Sequence, residues 1–402
     1  MNKLNLDYVL LAAALLLSLI GVAFVYSATH HIPDQAGLSY YQRQLIWLGG
    51  GLVMAFIMYS IPLRMHEAMA YVYYFVALAL LVFVMIASQE GAARWFRFGQ
   101  FAIQPVEFAK MAMCLTLARF LAYRRAKLHR FSSVFIGIFI ISIPTILIIK
   151  QPDLGSALVG LAIFLGMLLW TGMPIPRIIM VMSPIVSIIT AFHWLSWAVF
   201  FLAFLLLLFL SKVRLLPGLI FFIVYLTLGM LTPVLWNRLH DYQRLRILTF
   251  LDPGQDPSGA GYQIIQSKIA IGSGGFWGKG FMKSTQTRLD YLPAQHTDFI
   301  YSVIGEEMGF IGCVVVIVLL TIVVVRGFMI AAKARSVFYT YIAGGLTAAI
   351  FFQMAVNIGM TIGLMPVTGL PLPFVSYGGS SMLFFWGTIG MLLAINRDWQ
   401  EY

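Results

Sequence analysis

The sequence predicts an all-α polytopic membrane protein with about twelve membrane-spanning helices and one large extracytoplasmic loop. Three observations carry that expectation. Of 402 residues, 61% are hydrophobic and only 10% charged, whereas a soluble domain carries about 25% charged residues. With a mean hydropathy of +0.90, only lipid can solvate the apolar surface such a chain exposes. Apolar segments of span length recur along the chain, and they are interrupted once, between 237 and 297, by a polar stretch holding seven of the 26 Lys/Arg and four of the 15 Asp/Glu.

A span needs about 20 apolar residues, fewer where it is buried among other helices. The segments that qualify are roughly 7–28, 44–61, 69–87, 105–122, 133–149, 155–171, 175–192, 195–211, 215–236, 298–325, 337–362 and 380–396. The first is too long for a signal-peptide core and no small-x-small cleavage site follows it, so it reads as a span. The three between 175 and 236 are separated only by His193-Trp194 and Lys212-Val-Arg214, which leaves a ten-span count open, with two segments merged or re-entrant. Cys114 and Cys313 lie inside apolar segments with no metal-ligand company, and each reads as a small packing residue.

With both termini cytoplasmic, one side receives 14 Lys/Arg and the short loops of the other only Arg43, Arg94, Arg97 and Lys150. That bias obeys the positive-inside rule and puts 237–297 outside. The net charge of +11 is then mostly topology, with no call for nucleic acid. Loops of this length cross regardless of charge, so the seven basic residues need another reason, and an anionic partner is the simplest. Three smaller polar segments fall on the same outer side: Glu90–Glu107, Lys150–Gly155 and Met365–Ser381. Broken helix ends of this kind are tolerated at membrane depth when they line a cavity.

Within the large loop, Asp252 and Asp256 each open an Asp-Pro turn. Both serve as turn formers, or one is a catalytic carboxylate, ionised at neutral pH from a pKa near 3.9. Arg244, Arg246, Lys268, Lys279, Lys283 and Arg288 either clamp phosphate or keep a surface loop soluble. From Tyr262 to Ile271, apolar residues at 264, 265, 269 and 271 fit a short amphipathic helix lying at the membrane surface. Gly272–Gly280 is glycine-rich without a nucleotide-binding spacing, so it reads as a flexible or closely packed loop. His296, Asp298, Glu306 and Glu307 match no zinc pattern and suggest a hydrogen-bonded cluster at the start of the tenth span. Glu107 and Lys110, three apart on one helix face, are either a structural ion pair or a functional one. Asp153 is placed to cap the sixth span. Gly305-x-x-x-Gly309 and Gly359-x-x-x-Gly363 read as helix-packing sites.

These residues also form an ordered set of motifs: Arg94-Trp95, Gln104-Pro-Val-Glu107 with Lys110, Gln151-Pro-Asp-Leu-Gly-Ser156, Asp256-Pro-Ser-Gly-Ala-Gly-Tyr-Gln263, Ala270-Ile-Gly-Ser-Gly274, His296-Thr-Asp-Phe299, Gly305-Glu-Glu-Met-Gly309 and Ser376-Tyr-Gly-Gly-Ser-Ser381. By them the chain resembles, over nearly its whole length, the SEDS family (shape, elongation, division and sporulation). Pro366-Val-Thr-Gly-Leu-Pro-Leu-Pro373 looks like the elongation branch, since the division branch usually has Thr where Pro371 stands. Three departures stand out. The family has ten spans, so a surplus pair would lie between 172 and 236. Val106 replaces a common Ser, and Gln295 stands where Arg or Ala is common.

The resemblance implies a single transmembrane domain over 1–402, with 237–297 as its catalytic loop, in the bacterial cytoplasmic membrane. It implies a peptidoglycan glycosyltransferase that polymerises lipid II into glycan strands, with undecaprenyl pyrophosphate as leaving group, beside a class B penicillin-binding protein. Asp256 would be the catalytic residue, with Asp252 a turn former. Arg94, Lys110 and Lys268 would face the pyrophosphate, Glu107 and Asp153 would position them or the sugar, and Ser376 and Ser380 would complete the substrate site. Lipid tails would lie in grooves between spans. No cofactor is implied with certainty; a divalent cation could assist the leaving group, though no ligand set is evident. The rival reading is a transporter, either a lipid II flippase or a solute carrier; against it, the long polar loop is not at the midpoint and no internal repeat is visible.

Overall fold

The computed structural model describes residues 6–30, 38–87, 94–99, 101–124, 131–210, 215–238, 244–245, 248–249, 260–288 and 295–400. Twelve long helices occupy the twelve expected segments. Before the large loop these are α1 (Tyr8–Thr29), α2 (Tyr40–Ser60), α3 (Leu63–Ala87), α4 (Pro105–Tyr123), α5 (Phe131–Lys150), α6 (Leu154–Trp170), α7 (Ile175–Thr190), α8 (Trp194–Leu210) and α9 (Leu215–Arg238). Among the described residues of the loop are α10 (Ala260–Gly274) and the single turn α11 (Thr285–Arg288). After it come α12 (Ile300–Lys333), α13 (Val337–Thr361) and α14 (Gly379–Gln400). Among the described residues, six helices are long and apolar enough to cross a membrane on length and composition alone, and four more apolar helices are shorter. Helix is what such sequences must form, because hydrocarbon offers backbone N–H and C=O groups no partner and only a helix pairs them within the segment.

Local sequence sets the ends. Asp7 Oδ1 accepts from Leu10 N at 3.0 Å to cap α1, Ser39 and Gln42 form a capping box at α2, and Pro105 opens α4, where a missing N–H costs nothing. Asp153 caps α6 as expected, accepting from Ser156 N at 3.0 Å. One element lies outside the all-helical expectation. Strands β1 (Phe96–Phe98) and β2 (Phe101–Ile103) pair antiparallel between α3 and α4, with Gly99 at φ 61 in the turn, a backbone region glycine enters without strain.

The core is built on α4, α13 and α14, which are buried along most of their lengths. Trp386 on α14 is fully buried against Gly51 of α2 and donates Nε1–H to Ser18 Oγ of α1 at 3.2 Å. The surplus segment is a lobe of its own. In it α7, α8 and α9 share a separate apolar cluster of Met180, Phe204, Phe221 and Tyr225, and Phe221 stacks on Phe135 of α5 with centroids 6.0 Å apart.

Two expectations about the large loop are corrected. First, α10 is not a lone surface helix; it packs against α12. Its buried stripe is Gly261, Ile264, Ser267, Ala270 and Gly274, whereas Ile269 is exposed. Small residues permit close approach, and a Cβ on Gly274 would stand 2.0 Å from the Gly305 carbonyl. Ser267 Oγ closes the contact, 2.6 Å from both Ser302 Oγ and the Thr361 carbonyl.

Second, Gly309 is a break in α12, with φ 63 and ψ −157, where a packing glycine was expected. An unbroken helix would bond Phe310 N to the Glu306 carbonyl and Ile311 N to the Glu307 carbonyl. Instead Phe310 N donates to Gly275 O at 2.9 Å and Ile311 N to Phe276 O at 3.4 Å. The freed carbonyls of Glu306 and Glu307 accept from Lys279 N at 3.0 Å and Gly280 N at 2.9 Å. The glycine-rich segment is thus closely packed, threaded into the gap and replacing what the helix gave up. Gly363, at φ 77, likewise turns the chain after α13, with Lys268 and Ile264 of α10 lying close against it.

This geometry predicts opposite outcomes for two glycines of one helix. Gly274→Ala should lower thermal stability, by about 1–3 kcal/mol for overpacking. Gly272→Ala, with open space at its Cβ, should raise it by up to about 1 kcal/mol through helix propensity.

Candidate functional site

Described residues of the four polar segments meet in one cavity of about 360 Å³. The β2–α4 junction supplies Gln104 and Glu107, the α5–α6 turn Asp153 and Ser156, α10 Gln263, the turn before α12 Thr297 and Asp298, and the α13–α14 connection Thr368, Tyr377 and Ser381. Arg94 and Trp95 complete the lining.

Each charged group is held by its own scaffold. The Arg94 guanidinium donates through Nε to the Gln151 carbonyl at 2.7 Å and through Nη2 to the Pro152 carbonyl. It thereby stands as a fixed cation among the lining residues. Asp153 uses Oδ1 on the α6 cap and Oδ2 to accept from Gln104 Nε2 at 2.9 Å, which joins α6 to the start of α4. Glu107 accepts from Lys110 Nζ at 2.7 Å. Lys110 is 0% exposed and also lies 5.5 Å from the Phe384 ring centre, so it supports the cavity wall from behind.

Of the residues expected from sequence, Arg94, Glu107 and Asp153 come together on the cavity wall. Ser380 does not line it; its hydroxyl accepts from Gln104 N at 2.7 Å, on the side of the neighbouring apolar cavity. Ser376 does not line it. Its hydroxyl is consumed in a backbone staple, donating to the Thr297 carbonyl at 2.6 Å and accepting from Leu372 N at 2.8 Å. Lys268 does not line it either; its exposed side chain lies over Gly363. Asp256, Asp252 and Arg246 lie outside the described residues. Polar lining residues not singled out beforehand include Gln104, Gln263 and Ser381. All three lie within motif stretches already noted, and their position inside those motifs is the available signal.

The expected cluster of His296, Asp298, Glu306 and Glu307 divides in three. Asp298 faces the cavity. His296 is wedged between Tyr40 and Tyr377, ring centres 4.8 and 5.6 Å away. The two glutamates face away from it, into the seat of the loop. Gln295 is buried and donates to the Ala28 carbonyl at 3.1 Å. Among the described residues no three His, Cys, Asp or Glu gather as a metal-ligand set. Of the cavity carboxylates, Glu107 pairs with Lys110, and Asp153 accepts from Ser156 and Gln104.

A second cavity, of about 220 Å³, adjoins the first. It is an apolar groove walled by Met54 and Met58 of α2, Phe108 and Met111 of α4, and Leu383 and Phe384 of α14. Gln104 and Glu107 line both cavities. Polar chamber and apolar groove therefore share one wall.

Two measurements test this description. Lys110→Met strands a buried carboxylate and should cost about 3–5 kcal/mol; adding Glu107→Gln should recover most of it in a double-mutant cycle read by thermal unfolding. His296 is held below its ordinary value near 6.5 by burial. The unfolded chain then takes the proton first, so its share of stability is complete above pH 6.5 and is lost as pH falls below that. Unfolding temperature should drop between about pH 7 and pH 5, and His296→Phe should flatten that slope.

Comparison with known proteins gives these elements a lineage. The model of the FtsW/RodA/SpoVE family of cell cycle proteins matches residues 7–199 and 175–401. The chain is 35% identical over 398 residues to the peptidoglycan glycosyltransferase MrdB of Escherichia coli K12, covering 98% of this chain and 94% of the relative. It is 33% identical over 426 residues to the peptidoglycan glycosyltransferase RodA of Treponema pallidum, covering 98% of each. Among solved structures it resembles a chain of a peptidoglycan synthase complex that coordinates polymerization and crosslinking, with TM-score 0.73, 31% identity and full coverage of both. It also resembles the rod shape determining protein RodA of Thermus thermophilus, with TM-score 0.65, 26% identity and full coverage of both. The chain belongs to the FtsW/RodA/SpoVE, or SEDS, family of multi-pass membrane proteins.

Proposed function

We propose that this chain is a peptidoglycan glycosyltransferase that polymerises lipid II on the outer face of the cytoplasmic membrane, in the service of elongation and cell shape. The observation that carries the reading is the shared wall at Gln104 and Glu107, where a polar chamber meets an apolar groove. That pairing suits an amphiphile whose charged, sugar-bearing head and long hydrocarbon tail part at one point. Lipid II is such a molecule, and the relatives carry the matching activity in their names.

In this reading the head lies in the chamber and the prenyl chain in the groove. The 4-hydroxyl of one saccharide attacks the anomeric carbon of the other. Its proton passes to the Asp256 carboxylate as the new glycosidic bond forms. The bond from the anomeric carbon to the pyrophosphate oxygen breaks, and undecaprenyl pyrophosphate leaves with the electron pair. A single displacement inverts the α-linked donor to a β-linked product. Arg94, fixed by two backbone carbonyls, supplies positive charge where the leaving group gains negative charge, without reorganising at that moment. Both termini are cytoplasmic, and the partner is a class B penicillin-binding protein that crosslinks the glycan.

Purified protein given lipid II should produce glycan polymer. Asp256→Ala should abolish it with the unfolding temperature unchanged, and Arg94→Ala should lower kcat about 10²–10³-fold, as removal of one preorganised donor does elsewhere. Persistent polymerisation by Asp256→Ala would refute the proposed base. Lipid II crossing vesicles without polymer would favour a transporter.

A further inference from the structure

The break in α12 holds more than four backbone bonds. Glu306, 0% exposed, points its carboxylate at the descending limb of the loop. Its Oε1 accepts from Lys279 Nζ at 2.6 Å, Thr285 N at 2.8 Å, Thr285 Oγ1 at 2.8 Å and Gln286 N at 3.3 Å. The neighbouring Glu307 accepts from Ser27 Oγ of α1 at 2.6 Å. One buried carboxylate therefore gathers donors from three loop residues, and the backbone of the same helix turn takes up Lys279 and Gly280. At the other end of this tethered segment, α10 presents Gln263 to the chamber. The seat of the loop and the chamber wall are two ends of one packed unit.

We propose that Glu306 is a positioning residue for the polymerisation reaction: it locks residues 279–286 into the α12 break, and that seat, through α10, fixes the chamber wall at Gln263. The inference rests on the function proposed above. Without the carboxylate, Lys279 and the Thr285 and Gln286 amides lose their common acceptor. The spliced segment then opens more readily, and α10 loses its fixed height against α12. Glu306 touches no substrate, so the defect belongs to turnover. The Glu107–Gln104 junction and the groove still bind.

The test is Glu306→Gln in the full-length protein, with two readouts: hydrogen exchange of segments 260–288 and 337–361, and steady-state polymerisation of lipid II. Exchange across 275–286 should quicken about 10–100-fold, the loss expected for hydrogen bonds to a charged group, while α13 exchanges as in the parent. Turnover should fall about 10–100-fold, as a small misplacement far from the chemistry can bring, with KM for lipid II within about threefold. Thr285→Val, which removes one neutral donor and spares the carboxylate and its Lys279 partner, should move both readouts the same way by a smaller factor, and decides the matter if Glu306→Gln does not fold. Faster exchange with kcat per folded molecule unchanged overturns the positioning role. Parent-like exchange in both variants overturns the seat itself. If the parent protein makes no glycan, the proposed function fails and takes this role with it, a result separable from the others because it appears before any substitution.

Discussion

Inside a bilayer every backbone N–H and C=O must find a protein partner, and the architecture at the start of α12 follows from how that helix meets the demand. The helix breaks at Gly309 and offers two amides and two carbonyls to the segment 275–280, which fills them. That exchange makes residues 275–280 part of the hydrogen-bonding of α12. It needs a glycine at the break, because φ 63 excludes other residues without strain and a Cβ there would stand 2.4 Å from Gly278 N. It also needs small residues on α10, because the two helices approach within a Cβ of each other at Gly274. The loop then has one height above the bundle, and the chamber beneath it has a defined roof on that side.

In the proposed function, the chamber and the groove divide the work of holding an amphiphile by dielectric. Charged groups in the chamber are each committed to a neighbour, Arg94 to carbonyls and Glu107 to Lys110, so their positions are set before a ligand arrives. The groove offers methionines and phenylalanines, whose contacts are non-directional and suit a chain of repeating apolar units. Glu107 belongs to both, and its partner Lys110 lies fully buried between α4 and the Phe384 ring of α14.

Much of this was legible in the sequence, and the failures have physical reasons. Twelve apolar runs gave twelve helices because hydrocarbon leaves such segments no alternative. The outer polar segments meet in one cavity because each interrupts a helix end on the same side. Asp153 was readable as a cap from its place before an apolar run. The break at Gly309 was hidden, since Gly-x-x-x-Gly reads alike whether its second glycine packs or turns. The buried face of α10 was misread because the pattern of isoleucines signals hydrophobicity, while the small residues that make the contact carry none. The family resemblance points to Ser376 and Lys268, but a motif does not reveal that a hydroxyl is spent on Thr297 and Leu372 or that an exposed lysine lies over Gly363.

The lobe of α7, α8 and α9 stands apart from this machinery, with its own aromatic cluster and few links to the bundle. In the proposed function, head and tail of one lipid-linked sugar part at the Gln104–Glu107 wall. A lipid II analogue carrying a photoreactive group on the prenyl unit nearest the pyrophosphate measures it directly. After irradiation and peptide mapping, the label should fall on α2, α4 and α14, around Met58, Met111 and Leu383. Labelling confined to the α7–α9 lobe, or spread without preference over the lipid-facing helices, would contradict the account.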